Sequence, residues 1–202
     1  MGNEVKCLVH FGKQRGEGRA LLETSEIIFR GDFRRKIPFS TIKSAKAVDG
    51  ELRLQTPEGL AVFHLGAAAE KWCDKILHPK SRIEKLGVNL GAKVSLLGGF
   101  DADFLKEIAA LTKSVSKGKV APATECIFFA ASSKAELDAL PKISKSMKGA
   151  AALWIVYPKG QKHITEIDVI TAGRKCGLKD VKVVGFSSTH TSLKFVIPVD
   201  RR

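Results

Sequence analysis

Over its first third the chain alternates apolar and polar residues in short bursts, and beyond that it changes to longer apolar blocks separated by helical spacing. Seven segments alternate between Val5 and Leu65: Val5–Phe11, Ala20–Glu23, Ile27–Arg30, Arg35–Phe39, Ile42–Val48, Glu51–Gln55 and Leu60–Leu65. A period of two is what a strand with one buried face requires. Gly31-Asp32, Asp49-Gly50 and Pro57-Glu58-Gly59 punctuate the series, and Asp-Gly suits a two-residue hairpin because such turns need positive φ. The region predicts an antiparallel meander. Behind it, Ala69, Trp72, Cys73 and Ile76 recur at i, i+3, i+4 and i+7 before Pro79, which predicts one closing amphipathic helix.

Pro79 to Gly91 mixes charge, Pro and Gly, so the boundary is placed near Ser81–Lys85, giving domains 1–80 and 85–202. Lys93–Leu97 predicts a short strand opening onto Gly98-Gly99-Phe100-Asp101. Asp101 caps a helix carrying Phe104, Leu105, Ile108 and Ala109. Thr124–Ala131 is a second buried strand. Ser133 and Glu136 have the spacing of a capping box for a helix striped by Leu137, Leu140, Ile143 and Met147, which Pro141 kinks or restarts. After Gly149 comes Ala150–Lys159, an almost unbroken apolar run ending in Pro158-Lys159-Gly160, as a strand buried on both faces reads. Thr165 and Asp168 form another box, for a helix with Val169, Ala172, Gly173 and Cys176 on one face and Gly177 at its end. Val181–Phe186 and Leu193–Val199 predict a terminal antiparallel hairpin.

Six or seven strands followed by one helix over residues 5–78 resemble the pleckstrin-homology-like (PH-like) and GRAM-like superfold. The strand and helix order of residues 85–202 resembles the Rossmann-like class I methyltransferase fold. The same residues resemble an uncharacterised bacterial family described only as a domain of unknown function. That second likeness rests on Leu153-Trp154-Ile155-Val156-Tyr157-Pro158-Lys159, the helix over Ile164–Gly177 and Leu193-Lys194-Phe195-Val196. The resemblances imply a two-domain α+β chain: a PH-like antiparallel barrel or meander capped by one helix, then a Rossmann-like α/β three-layer sandwich with a terminal hairpin.

Composition narrows the partners. Hydrophobic content of 44% and charged content of 27% fit a globular chain. No apolar run reaches the roughly 18 residues a membrane helix needs and no leader pattern opens the chain, so a cytoplasmic location is expected. Gly2 does not complete a myristoylation pattern, because Lys6 stands where Ser or Thr is required. Cys7, Cys73, Cys126 and Cys176 lie far apart, as buried reduced thiols do, and no His or Cys spacing suggests a metal. The net charge is +13. Fifteen basic against 11 acidic groups in residues 1–84 leave +4, and 19 against 10 in residues 85–202 leave +9. Such a balance attracts anions: a small molecule, an acidic protein or nucleic acid.

The candidate chemistry is incomplete. Gly98 and Gly99 would let backbone approach a ligand, but the full glycine spacing of a dinucleotide site is absent. Thr112–Ala123, where an acid for ribose hydroxyls belongs, holds no carboxylate. No cofactor is therefore predicted, and a conventional S-adenosylmethionine site is not expected. The loop after the long apolar strand offers Lys159, Lys162 and His163 beside the helix start at Thr165, an edge suited to a phosphate or carboxylate. Thr189 and His190 join it if the terminal hairpin folds to the same side. Arg30, Arg34, Arg35 and Lys36 bracket one turn of the first domain and would face a phosphate or solvent. No catalytic constellation is assigned. The reading is a non-enzymatic binding or regulatory protein with a degenerate Rossmann-like unit. The alternatives are a methyltransferase-like transferase with an atypical nucleotide or S-adenosylmethionine site, and nucleic-acid binding through the basic second half.

Overall fold

The computed structural model describes residues 3–202, so Gly2 lies outside the described residues. The chain divides into two compact units, Met1–Lys80 and Ser81–Arg202.

In the first unit, β1 (Asn3–Phe11), β2 (Gln14–Leu22), β3 (Glu26–Gly31), β4 (Arg34–Pro38), β5 (Ser44–Val48), β6 (Glu51–Thr56) and β7 (Gly59–His64) form one curled antiparallel sheet. Its order is β4-β3-β2-β1-β7-β6-β5. The alternation read from the sequence sends Val9, Phe11, Ala20, Ile27, Phe29, Leu52, Leu54 and Phe63 to a single core. Helix α1 (Ala69–Leu77) closes that core with Trp72, Cys73 and Ile76. β2 begins six residues earlier than the apolar pattern suggests. Full pairing from Asn3↔Leu22 to Phe11↔Gln14 holds the polar stretch Gln14–Glu17 extended. Gly18 faces Gly31 across β2 and β3, where a Cβ on Gly18 would lie 2.4 Å from the Arg30 carbonyl oxygen.

The second unit contains α2 (Arg82–Leu86), β8 (Val94–Leu97), α3 (Ala102–Leu111), β9 (Val115–Lys117), β10 (Cys126–Ala130), α4 (Leu140–Ser146), β11 (Ala152–Pro158), α5 (Glu166–Lys175), β12 (Lys179–Gly185) and β13 (His190–Val196). Its mixed sheet runs β12-β13-β11-β10-β8-β9. β9, β8, β10 and β11 are parallel, whereas β13 is antiparallel to β11 and β12. Both faces are covered. Ile127, Phe129, Leu153 and Ile155 pack with Leu140, Ile143 and Val169 from α4 and α5. Cys126, Phe128, Trp154 and Val156 pack with Ile83, Leu86, Phe104 and Ile108 from α2 and α3. The uninterrupted apolar run of β11 follows, because successive side chains enter different cores.

Three local readings change. Ser81-Arg82-Ile83-Glu84, taken as linker, is a helix start with a complete capping box. The three-residue strand β9 lies inside the polar stretch Thr112–Ala123. Ser133 does not cap the helix ahead of it; the Glu136 carboxylate instead accepts from the Ser132 N–H at 2.8 Å, and a 3₁₀ turn precedes Pro141, at which α4 begins anew. Among the described residues, no helix is long and apolar enough to cross a membrane.

Candidate functional site

From β8 the chain passes through α3 to β9 on one side, and then crosses to β10 on the other side of β8. The sheet order therefore reverses between β8 and β10. Connections leaving in opposite directions open a crevice outside the carboxyl ends of those strands. A cleft of about 500 Å³ occupies this position. It is lined by Gly99, Phe100 and Asp101 after β8, Ala130, Ala131 and Ser132 at the end of β10, Val156 of β11, and residues 186–190 of the terminal hairpin.

The two glycines after β8 have different jobs. Gly98 has φ +92°, and a Cβ there would stand 3.0 Å from the Ala130 carbonyl oxygen, so glycine is needed for the turn and for passage beside β10. Gly99 needs neither: a Cβ built on it meets nothing within 4 Å. Its bare backbone borders the cleft. Asp101 then accepts from the Phe104 N–H at 2.8 Å and starts α3.

One side of the cleft is held by Arg82, a residue hidden in the presumed linker. Its guanidinium donates to both Asp101 oxygens at 3.0 and 3.2 Å, to both Glu107 oxygens at 3.0 and 3.1 Å, and to the Phe186 carbonyl at 3.2 Å. It also lies 4.9 Å from the Phe186 ring and 5.2 Å from the Phe104 ring. Burial works against charge on Arg82, but the two carboxylates outweigh it and raise its pKa. Burial likewise works against the Asp101 anion, and hydrogen bonds from Arg82 and the Phe104 N–H prevail to lower its pKa. Arg82 thus ties the β8–α3 turn to the hairpin tip. Asp103 also lines the cleft and, among the described residues, has one charged contact, with Lys106 at 4.0 Å. The lining, with one guanidinium against Asp101, Asp103 and Glu107, is acidic where the unit as a whole is basic.

The sequence-derived candidates fall in two adjacent places. Gly99, Thr189 and His190 line the cleft, and Gly98 shapes its turn. Lys159, Lys162 and Thr165 line a second cavity of about 510 Å³ at the start of α5, with Tyr157, Glu166 and Thr191. His163 is exposed and lines neither. Lys159 connects the two places, because its ammonium donates to the Ser187 carbonyl at 2.6 Å and its N–H to the Thr189 carbonyl at 2.8 Å. Thr165 Oγ1 lies 2.6 Å from the Asp168 carboxylate in the α5 capping box, and Asp168 pairs with Lys134 at 3.0 Å. In the hairpin tip, the Ser187 hydroxyl accepts from the N–H groups of Thr189 and His190, and Thr189 Oγ1 lies 2.9 Å from His190 Nδ1.

Tyr157, which ends the apolar run and begins the loop toward Thr165, is a further feature of the second cavity. It is 3% exposed, and its hydroxyl faces the Glu166 carboxylate without meeting strict hydrogen-bond geometry to any described residue. Burial first, and the Glu166 carboxylate second, push its pKa up to about 12. The hydroxyl is therefore a donor at neutral pH. Cys7, Cys73 and Cys126 are buried thiols whose pKa values burial raises, which suits packing rather than nucleophilic chemistry.

No protein-family model matches the chain, and no curated protein matches it. Among solved structures, those similar over the C-terminal part include a SAM-dependent methyltransferase from Aquifex aeolicus, with 15% identity, a TM-score of 0.45, and coverage of 61% of this chain and 96% of that one. The pyocyanin biosynthetic protein PhzM matches with 10% identity and a TM-score of 0.45, covering 65% of this chain and 59% of that one. Human N-acetylserotonin methyltransferase in complex with SAM matches with 9% identity and a TM-score of 0.42, covering 52% and 47%. The chain thus spans about half the length of the last two. The expectation that no cofactor binds, S-adenosylmethionine included, is withdrawn on this finding, since the similar structures include a SAM-dependent methyltransferase and a methyltransferase in complex with SAM.

Proposed function

We propose that the C-terminal unit is a methyltransferase-like transferase whose S-adenosylmethionine or related nucleotide site is the crevice between β8 and β10, and that the N-terminal unit is a PH-like module. The observation that supports this most is the 500 Å³ cleft at the strand-order reversal with the bare Gly99 backbone beside it. A Cβ at Gly99 would occupy space that the fold itself does not use. The acidic lining also suits a sulfonium-bearing ligand better than an anion.

S-adenosylmethionine, when bound, supplies an activated methyl group. The chain's own residues do the rest. The Gly99 backbone would admit the ligand closely, and Asp103, which lines the cleft, would accept from its hydroxyls in place of the acid missing after β9, where Lys117 and Gly118 stand. Phe100 and Phe186, which line the cleft with their rings 6.2 Å apart, would keep water from the reacting centre. His190 has Nδ1 engaged by Thr189, which leaves Nε2 as the ring nitrogen that takes a proton from an acceptor. Lys162, with the Tyr157 hydroxyl beside Glu166, makes the second cavity a position for an acceptor's hydrogen-bonding group.

The test is thermal denaturation with S-adenosylmethionine and S-adenosylhomocysteine. A ligand at a hundredfold excess over Kd contributes about 2.7 kcal/mol, a rise of roughly 5 °C or more. Gly99→Val is expected to melt like the unaltered chain and to lose that rise. Absence of any rise with millimolar ligand leaves the non-enzymatic binding reading in its place.

A further inference from the structure

The N-terminal unit carries an arrangement of charge that stability alone does not explain. Lys6 on β1 pairs with Arg19 on β2, Arg19 with Arg30 on β3, and Arg30 with Arg34 on β4. Cys7, Ala20 and Phe29, next to Lys6, Arg19 and Arg30, are core residues, and on β4 the core residue Ile37 lies an odd three positions from Arg34, so by alternation the four cations project from the outer face, where each is exposed. They form one transverse row across four adjacent strands. Like charges directly opposite each other destabilise a sheet. This row contains three such pairs in succession. Glu4 neutralises Arg19 at 2.9 Å, but Lys6, Arg30 and Arg34 have no carboxylate partner among the described residues. Arg35, by contrast, is committed to Glu58, Gln14 and the Phe11 ring, and Lys36 lies 3.8 Å from Glu26.

We infer that this row is a binding site for the phosphate backbone of duplex nucleic acid, recognised without regard to sequence. Strands lie about 4.8 Å apart, so four cations span about 14 Å. A duplex carries one phosphate per about 1.7 Å of axis with both strands counted, so about eight lie along a length of about 14 Å and those on the facing side suffice for four cations. The surroundings favour this occupant over two others. No aromatic side chain except the His10 ring shares the outer face of β1–β4, so there is no platform for stacking unpaired bases. None of the exposed large hydrophobic residues lies on β1–β4, so the face lacks the protruding apolar groups that insert into a lipid surface. The site is on the less basic half of the sequence, and its register rather than its net charge identifies it.

The test is fluorescence anisotropy of the full chain with two labelled 20-base-pair duplexes of unrelated sequence between 25 and 200 mM salt. The expected slope of log K against log salt is about −3 to −4, with both duplexes bound within about twofold of each other. Arg30→Gln/Arg34→Gln is expected to reduce the slope by about 2. Lys142→Gln/Lys145→Gln, exposed on α4 of the other unit, is expected to leave it unchanged. Because removing a like charge relieves the row, Arg30→Gln should melt about 1–3 °C higher at 25 mM salt, with the difference shrinking at 0.5 M. The inference is overturned if no duplex binds at 25 mM salt, if Arg30→Gln/Arg34→Gln keeps the full slope, or if the α4 variant lowers it instead. Binding to phosphatidylserine vesicles without binding to the duplexes also overturns it, in favour of a membrane surface. A lower melting temperature for Arg30→Gln overturns its premise.

Discussion

The sheet of the N-terminal unit buries one face and leaves cations exposed on the other, whereas the sheet of the C-terminal unit is packed on both faces. The difference decides where each can do chemistry. On β1–β4, alternate positions are free of the core and carry Lys6, Arg19, Arg30 and Arg34, so any recognition lies across the strands. On β8, β10 and β11, α2 and α3 take one face and α4 and α5 the other. Recognition is then confined to the strand ends, and the cleft at the reversal between β8 and β10 is where the fold leaves room.

The sharpest way to break this comparison is to substitute consecutive residues in each sheet. Ile127 and Phe128 are both 0% exposed but enter different cores, so Ile127→Ala is expected to cost about 2–5 kcal/mol and Phe128→Ala about 3–5 kcal/mol. In the other sheet, Phe29→Ala is expected to cost about 3–5 kcal/mol, but its neighbour Arg30 can be replaced by Gln with no loss. Urea denaturation of the four variants decides it. If one of Ile127 and Phe128 proves neutral, the two-sided packing is wrong.

A smaller effect tests the side of the cleft. Arg82→Ala leaves Asp101 and Glu107 facing each other without their shared cation and frees the Phe186 carbonyl. Its side chain keeps 14% exposure, so the cost is expected near 2 kcal/mol, below that of a fully buried pair. Arg82→Lys should recover only part, since an ammonium cannot grip two carboxylates bidentately. A change under 0.5 kcal/mol in urea denaturation would show that the β8–α3 turn and the hairpin tip are held by packing alone.

Legibility in the sequence follows the same division. The seven strands of the first sheet were readable because a one-sided sheet writes its burial as alternation. β11 was readable because burial on both faces writes a continuous run, and the α5 start because Thr165 and Asp168 lie three residues apart. β9 was not, since three residues are too few to show a period. Arg82 was missed for a similar reason: a five-residue helix shows little periodicity, although Ser81-x-x-Glu84 was a usable start signal. The commitment of Lys159 to the Ser187 carbonyl joins residues 28 apart, and nothing local in either segment announces it. Gly98 and Gly99 were legible as a pair, but only the neighbouring strand shows that one serves packing and the other borders the cleft.

Local legibility itself can be tested at the α5 start. Thr165→Ala removes the hydroxyl that accepts from the Asp168 N–H and is expected to cost about 1 kcal/mol, the usual worth of a cap. Asp168 supplies the pH dependence. Hydrogen bonds from the Thr165 side chain, then from Lys134 and the Thr165 N–H, lower its pKa to about 2 from an ordinary 3.8. A carboxyl with a folded pKa below its unfolded value stabilises the fold fully above the unfolded value, and the contribution disappears as pH falls through the folded one. The window is therefore pH 4 to pH 2. Asp168→Asn should be the less stable protein at pH 6 and lose less on acidification through that window, so that urea midpoints of the two converge toward pH 2. Asp101 and Asp180, also lowered, keep a residual acid limb in the variant. Parallel losses in the two proteins would mean that the box holds its geometry without electrostatic coupling, and α5 would then owe its start to the burial of Ile164 and Val169.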